Sequence, residues 1–308
     1  MKIILCKVIG LLAATTSSFV LANSQSELSF SGEANAGLIH NSALSVEEID
    51  NVSDEGDSGN EVGIKFTGQW QANQKLKLVA GYAYQQQNFT RYSQYDLALH
   101  QFNVDISYQL NTGEIGLRLD AARASLAQST FLDFQQASFY YGLFLQPQTY
   151  FRSSLKIKNK TFAELSDRDA EAVALSADVF HFSNNAKTML MLGINYEEEE
   201  AVNETFTFDG LGLNTKVTHK FTLFGLGSQV GLNWRYQNKD YLSPMQSEES
   251  QENAERDENR HIITATWSIN ILDNLAINTE FERGDYRSEL DSLTYQQNVA
   301  SVGISYQW

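Results

Sequence analysis

Cysteine is almost absent from this sequence. One cysteine, Cys6, occurs in the 308 residues, and it lies in an N-terminal segment that we predict below to be removed. A chain without cysteine forms no disulfide bonds and offers no thiolate ligands to a metal. We therefore expect neither a disulfide nor a thiolate metal site, and we predict no cofactor.

Long apolar runs and basic residues are also scarce. Beyond the N-terminal segment no stretch of about 18 apolar residues occurs, which excludes a membrane protein built from helical spans. The chain has 22 Lys and Arg against 38 Asp and Glu, a net charge of -16. Because phosphate contacts need clustered Lys and Arg, this charge argues against nucleic acid as a partner.

The N-terminus has the pattern of a secretory signal peptide. Lys2 and Lys7 give a positive start, an apolar stretch runs from Val8 to Leu21, and small residues end at Ala22. The alternative is a retained anchor, but residues 15–18 interrupt the apolar run with hydroxyl side chains. We predict a signal peptide over residues 1–22, export to the periplasm, and one mature domain over residues 23–308.

The mature sequence alternates apolar and polar side chains in segments of roughly ten residues, as strands do when their two faces meet different surroundings. In the first segment Leu28, Phe30 and Leu38 share one face, and Ser29 and Glu33 share the other. Only 2 prolines but 14 Tyr and 18 Phe accompany this pattern, a composition typical of strands. The sequence predicts an all-β fold.

The number and spacing of these segments favour a transmembrane antiparallel up-and-down β-barrel of about 14 strands, with 12 or 16 as alternatives. The least marked hairpin lies near residues 221–224. The connections sort into seven long ones, expected to face outward, and six short turns, expected to face the periplasm. A soluble β-sandwich alternates too, but it mixes long and short connections and does not gather aromatics at strand ends.

The last ten residues, VASVGISYQW, resemble the C-terminal sorting signal of bacterial outer-membrane proteins. The matching residues are Ala300, Val302, Ile304, Tyr306 and Trp308. The resemblance implies that the barrel-assembly machinery reads this strand and inserts the protein into the outer membrane of a Gram-negative cell envelope. We expect the final strand to close the barrel by pairing antiparallel with the first strand, Leu28 to Leu38.

Two further resemblances are weaker. The mature chain is similar in size to monomeric porins. Its closing stretch from Tyr295, and its opening pattern around Gly37 to Asn41 before an acidic loop, are similar to surface lipoprotein assembly modifier barrels. Those barrels follow a periplasmic helical-repeat domain, which we do not expect here.

Charged residues alternate with the apolar face and are expected to line the lumen. In one interpretation a basic wall faces acidic residues across a water-filled channel and sorts solutes by charge. In the other, the same charges pair and plug a narrow lumen. The first is favoured because 14 strands enclose more space than side chains fill. The proposed basic wall is Arg118, Arg152, Lys156 and Lys158, and the acidic wall Glu280 and Glu282; Glu33, Lys65, Asp105, Asp120, Lys216, Asn233 and Arg235 join the lining.

An enzymatic barrel is the second class of function. His181-Phe182-Ser183 is similar to the His-x-Ser of a lipid A deacylase barrel, but our topology puts it at the periplasmic end. His40, His100 and His261 fall near the outer rim, and the simpler interpretation of each is a polar residue of the rim. The fifth histidine of the sequence is His219. We predict no catalytic residues and no enzyme activity.

Metal binding is the third class. Two loops are rich in carboxylates that could bind Ca²⁺ or join the cation-bridged lipopolysaccharide layer. Their spacing matches no EF-hand, and charge runs usually mark a solvated loop, so we predict no specific metal site. The residues are Asp54, Glu55 and Asp57 in the first loop and Glu248, Glu249, Glu252, Glu255, Asp257 and Glu258 in the sixth.

The sequence therefore predicts a monomeric outer-membrane channel of porin type for passive transport of small polar solutes or ions. The alternative is a barrel for export or surface assembly that handles a polysaccharide or a lipoprotein. Outer-membrane lipid, lipopolysaccharide and the barrel-assembly machinery are the expected partners.

Overall fold

The computed structural model describes residues 26–183, 185–246, 253, 254 and 256–308. The predicted signal peptide lies outside these residues, as do Glu248, Glu249, Glu252 and Glu255. Among the residues that are described, no helix is long and apolar enough to cross a membrane.

The described residues form a closed antiparallel barrel of 14 strands, as the alternation predicts. Four shorter strands lie in two of the loops. In chain order the strands are β1 (Glu27–Asn41), β2 (Leu44–Val46), β3 (Asn51–Ser53), β4 (Asp57–Gln71), β5 (Leu76–Phe89), β6 (Leu97–Gln109), β7 (Glu114–Leu126), β8 (Ser129–Gln146), β9 (Thr149–Phe162), β10 (Ala170–Ser183), β11 (Thr188–Ala201), β12 (Phe208–Leu223), β13 (Leu226–Tyr241), β14 (Met245–Gln246), β15 (Asn253–Ala254), β16 (Glu258–Leu272), β17 (Leu275–Ser288) and β18 (Tyr295–Gln307).

Neighbours around the barrel are neighbours along the chain, apart from the closing pair β1 and β18. The predicted closure is therefore confirmed. The paired part of β1 differs from the predicted strand Leu28 to Leu38, because residues 33–41 pair with residues 299–307 of β18. The first residues of β1 extend past the end of β18 and pair with β4.

The apolar face of each strand points away from the barrel. Phe30 is 69% exposed, and Leu175, Phe281 and Ile304 are about half exposed. Large apolar side chains exposed all around a closed barrel indicate that the outer surface meets lipid rather than water. The opposite face carries the polar side chains, as predicted.

The connections differ from prediction at one place. Six turns of two to four residues lie at one end of the barrel, and the seven other connections lie at the opposite end. One of those seven, between β7 and β8, has only two residues, Ala127 and Gln128, so the strict division into long and short connections is wrong. Both residues have positive φ, the geometry of a tight hairpin turn. The hairpin near Phe224 is confirmed as a two-residue turn.

The closing seam depends on a glycine. The N–H of Gly32 donates to the carbonyl of Trp308 at 2.9 Å, and the N–H of Trp308 donates to the carbonyl of Gly32 at 3.0 Å. The indole packs over this glycine, where a Cβ would lie 2.4 Å from the ring. Trp308 also meets Phe66 edge to face at 5.9 Å.

We expect Gly32→Ala to destabilise the barrel by about 1–3 kcal/mol, because the added methyl group would overlap an indole whose backbone is fixed by two hydrogen bonds. The midpoint of denaturant unfolding of the refolded protein in detergent measures this. Gly227→Ala is the matched control, because a Cβ there would lie 3.4 Å from the amide nitrogen of Asn270. Equal midpoints for the two variants would contradict the packing of Trp308 on Gly32.

Candidate functional site

The first outer connection folds into the mouth of the barrel. This mouth loop, residues 42–56, contains the β2–β3 hairpin and a short 3₁₀ helix, Glu47–Ile49. Leu44 is 1% exposed and packs with Phe89 and Tyr95 of the barrel rim. On the other side of the hairpin, Val52 packs against a second apolar cluster of Ile262, Tyr286 and Tyr295. A loop packed this way occupies the opening rather than extending from it.

The mouth loop is tied to the far side of the barrel by ion pairs. Asp50 lies between two arginines, with its carboxylate oxygens 2.5 Å from Nη2 of Arg168 and 2.6 Å from Nη2 of Arg256. Glu48 pairs with Lys160 at 3.3 Å. Lys160 is on β9, which is five strands from β4 and six from β1 around the ring of 14. The loop therefore reaches most of the way across the opening.

A third loop carboxylate, Glu47, pairs with Arg260 of β16. Lys239 of β13 lies close enough to Glu48 to act on its charge. We call the five cationic residues around the loop the basic socket: Lys160, Arg168, Lys239, Arg256 and Arg260.

Charges in the basic socket balance once the loop is included. The barrel wall supplies two carboxylates, Glu199 at 3.0 Å from Lys160 and Glu258 between Arg256 and Arg260. Five positive and two negative charges leave three positive charges. Glu47, Glu48 and Asp50 of the loop supply the three negative charges that complete the balance.

Aromatic rings hold the socket cations in place. The guanidinium of Arg168 lies 4.0 Å from the centre of the Phe206 ring, and that of Arg256 lies 4.3 Å from the Tyr241 ring. Lys239 sits 4.4 Å from the Phe208 ring. Each cation–π contact of this kind contributes about 0.5–2 kcal/mol to the position of its cation, in addition to the ion pairs.

The electrostatics of the loop follow from this setting. Enclosure by the barrel wall acts to raise the pKa of the Glu48 carboxyl. The charges of Lys160, Lys239 and Arg260 outweigh that effect and hold the pKa below its ordinary value of 4.5. At neutral pH Glu48 is therefore ionised, and its attraction to the socket is fully present.

A polar cavity of about 430 Å³ lies inside the barrel next to the mouth loop. Glu61 of β4 and Glu280 and Glu282 of β17 line it together with Arg235 of β13. Glu282 accepts a hydrogen bond from Thr264 at 2.9 Å. Glutamine side chains, including those of residues 87, 237 and 297, complete the polar lining.

The four residues proposed for the basic wall all lie on the face opposite the exposed apolar residues of β7 and β9. Arg152 is 3.6 Å from Asp178 of β10, and Lys158 is 2.7 Å from Glu197 of β11. Arg118 pairs with Asp120 two residues along its own strand, at 2.7 Å. Lys156 has no ion pair among the described residues. Much of the basic wall is therefore compensated locally, while β17 and its two glutamates are six strands away from β9.

Sequence reasoning missed the basic socket and the loop that fills it. One signal was present, because Phe89, Ile262 and Tyr286 are apolar at positions where the alternation calls for lumen-facing polar residues. Inward apolar residues need something to pack against. The inward apolar residues pack against Leu44 and Val52 of the acidic mouth loop.

The five histidines lie on the outward face of their strands. Nδ1 of His100 lies 2.8 Å from the hydroxyl of Tyr82. The ring of His261 packs against the rings of Trp234 and Tyr236. Both histidines lie toward the outer end of the barrel. His40 Nδ1 lies 2.9 Å from the hydroxyl of Ser58. Within the part of the chain that the structure covers, none of these histidines forms an ion pair with a carboxylate.

Several of the acidic loop residues considered as metal ligands have partners in the chain itself. The Asp57 carboxylate accepts hydrogen bonds from the backbone N–H groups of Arg91 and Tyr92, at 2.6 and 3.1 Å. Glu258 pairs with two arginines of the socket. Among the residues described, no group of three His, Cys, Asp or Glu side chains could hold a metal ion.

No protein-family model matches the sequence, and no curated protein does. The fold is similar to that of solved outer-membrane proteins. OmpT of Vibrio cholerae, expressed in the outer membrane, has a TM-score of 0.53 and 9% identity, with 94% of this chain and 100% of that chain covered. An anion-selective porin from Comamonas acidovorans has a TM-score of 0.51 and 8% identity, with coverages of 92% and 100%. At these identities the likeness is one of fold: the chain has the architecture of bacterial outer-membrane β-barrel proteins.

Proposed function

We propose that this protein is an outer-membrane channel through which small polar solutes or ions pass passively, and that the mouth loop narrows its outer opening. The observation that carries the proposal is the polar cavity beside the loop, lined by unlike charges of β4, β17 and β13. Polar, charged walls inside a barrel of this size support water and solutes rather than a dry core.

The outer surface supports the proposed location and partners. Apolar side chains exposed around the barrel suit outer-membrane lipid, and the loop end would lie among lipopolysaccharide. Val302, Ile304 and Tyr306 of β18 point outward, in the alternation expected of the strand that the barrel-assembly machinery recognises. We propose that the protein reaches this membrane through the periplasm and acts as a monomer.

The geometry favours passage over covalent chemistry. His40 and Ser58 are a histidine and a serine within hydrogen-bond distance, 2.9 Å, and both are exposed on the outward face. A histidine base needs a third group to orient it, and no carboxylate pairs with His40 among the described residues. Loop ion pairs filling the mouth also suit the passage of small solutes better than the export of a polysaccharide or a lipoprotein.

Conductance across a planar lipid bilayer tests the proposal. We expect discrete single-channel steps from pure, refolded protein, and none from the same preparation after heat denaturation. Because the loop narrows the wild-type channel, the same measurement is made on Glu47→Gln/Glu48→Gln/Asp50→Asn, called the amide variant below. Absence of steps from both proteins would contradict the proposed function.

A further inference from the structure

The mouth loop occupies the basic socket as an anion would. Its three carboxylates meet cations that belong to the barrel wall and to two other loops: Lys160, Arg168, Arg256 and Arg260. The wall alone leaves the socket with three positive charges in excess. Uncompensated charges in an enclosed site are costly, so a socket without the loop would attract another anion.

The socket is built to hold carboxylates. Arg256 is 3% exposed along its side chain and offers one Nη2 to Asp50 and its Nε to Glu258, while its Nη1 has no hydrogen-bond partner among the described residues. Arg168 reaches Asp50 from the opposite side and also donates from Nη1 to the backbone carbonyl of Glu48 at 3.3 Å. Each guanidinium donates to a different oxygen of the Asp50 carboxylate, and such charge-assisted hydrogen bonds from arginine suit planar oxyanions.

A line of basic residues continues from the socket into the barrel. Lys160, Lys158 and Lys156 are successive inward residues of β9, about 7 Å apart along the strand, and Arg152 follows beyond the inward Ser154. Lys160 belongs to the socket, and Lys156 has no ion pair among the residues described. An anion that entered the socket would therefore meet further cations on its way inward.

We propose that the basic socket is a binding site for solutes carrying several carboxylates, and that such a solute opens the channel by displacing Glu47, Glu48 and Asp50 of the mouth loop. The inference rests on the proposed channel function and names the class of solute that opens the channel. Exchange of three loop carboxylates for those of a solute keeps the charge of the socket balanced. Monocarboxylates replace one contact at a time and leave the loop in place.

The test separates loop release from conductance. Ser45→Cys, in a full-length Cys6→Ser background, places a single thiol on the half-buried β2 strand of the loop. We expect propane-1,2,3-tricarboxylate to raise the rate of maleimide labelling by roughly tenfold. The thiol reacts when the mouth loop is displaced, and a ligand that binds the displaced state more tightly than the seated state raises the population of the displaced state in proportion to that difference. Acetate at matched ionic strength and carboxylate concentration is expected to have no effect. Single-channel conductance of the wild type is recorded under the same conditions and is expected to rise with tricarboxylate alone.

Matched variants locate the effect. Arg168→Gln, which removes one arm of the socket, should abolish the difference between tricarboxylate and acetate. Arg123→Gln removes an arginine that pairs with Asp133 on the outward face, and it should leave the difference unchanged.

A labelling rate that tricarboxylate leaves unaltered in the wild type would overturn the inference, whereas steps from the amide variant would still uphold the channel. Faster labelling without any conductance would uphold the binding site and overturn the channel. A response to inorganic phosphate as large as that to tricarboxylate would overturn the assignment to carboxylates.

Discussion

The amide variant, Glu47→Gln/Glu48→Gln/Asp50→Asn, is expected to conduct several-fold more current at neutral pH than the wild type. Each substitution keeps the shape of the side chain and removes a negative charge from the mouth loop. Asp50 alone joins the loop to two arginines, one of them almost fully buried. Removing one partner of a buried ion pair costs about 3–5 kcal/mol, and a tenfold change in population needs only about 1.4 kcal/mol. The loop, then held mainly by the apolar packing of Leu44 and Val52, should leave the mouth far more often than in the wild type.

Acid should reproduce this effect in the wild type. The pKa of Glu48 is held below its ordinary value of 4.5 by the socket cations Lys160, Lys239 and Arg260 when the loop is seated. A group whose pKa is lowered in one state stabilises that state at a pH above its ordinary pKa, and the contribution is lost as the pH falls through the lowered value. Wild-type conductance should therefore rise as the pH falls below 4.5, while the amide variant should respond less.

Asp54→Asn/Glu55→Gln is the matched control for the amide variant. Both carboxylates belong to the same loop, and their substitution removes two negative charges against three in the amide variant, but they are exposed and lie outside the basic socket. The control should conduct as the wild type does, and its current should rise in acid in the same way. Equal conductance of the amide variant and this control would show that the socket does not hold the loop in the mouth.

The sequence predicts the barrel better than it predicts the mouth. Alternation with a period of two depends only on each strand meeting lipid on one side and water on the other, so residues such as Leu175 and Lys158 identify their faces without knowledge of any neighbour. Closure between β1 and β18 follows from the need to leave no free edge. The exact register does not follow, because β1 is longer than the segment of β18 that meets it.

Two features could not be predicted, for different physical reasons. Ala127 and Gln128 form a tight turn with positive φ without the Asn or Gly that usually marks one, so the neighbouring strands set the turn rather than its own residues. The basic socket joins residues far apart in the chain: Asp50 is 118 residues from Arg168 and 206 residues from Arg256. The sequence of an acidic loop by itself predicts a solvated loop, because the cations that pair with its carboxylates belong to other loops and strands.

The second large effect expected is on ion selectivity. Glu61, Glu280 and Glu282 line the cavity beside the mouth loop, and none forms an ion pair among the described residues. Their unpaired charges attract cations into the lumen and repel anions. Glu61→Gln/Glu280→Gln/Glu282→Gln should lower the ratio of potassium to chloride permeability by roughly threefold. The interaction energy between a wall charge and a passing ion in water is about 1 kcal/mol, and salt screens part of it. Reversal potentials in a potassium chloride gradient measure this ratio.

A matched triple variant separates the lumen from the net charge of the protein. Glu171→Gln/Glu198→Gln/Glu200→Gln removes three carboxylates from exposed positions on the outward face of β10 and β11. Lys156→Glu is expected to have the opposite effect on selectivity. It replaces a cation of the lumen, which has no ion pair among the described residues, with an anion, and it should raise the ratio of potassium to chloride permeability. If the outward triple variant changes selectivity as much as the lumen triple variant, the charge of the whole barrel governs the passage of ions. If only the lumen variants change it, in opposite directions, ions pass between β9 and β17, the two walls whose unlike charges face each other inside the barrel.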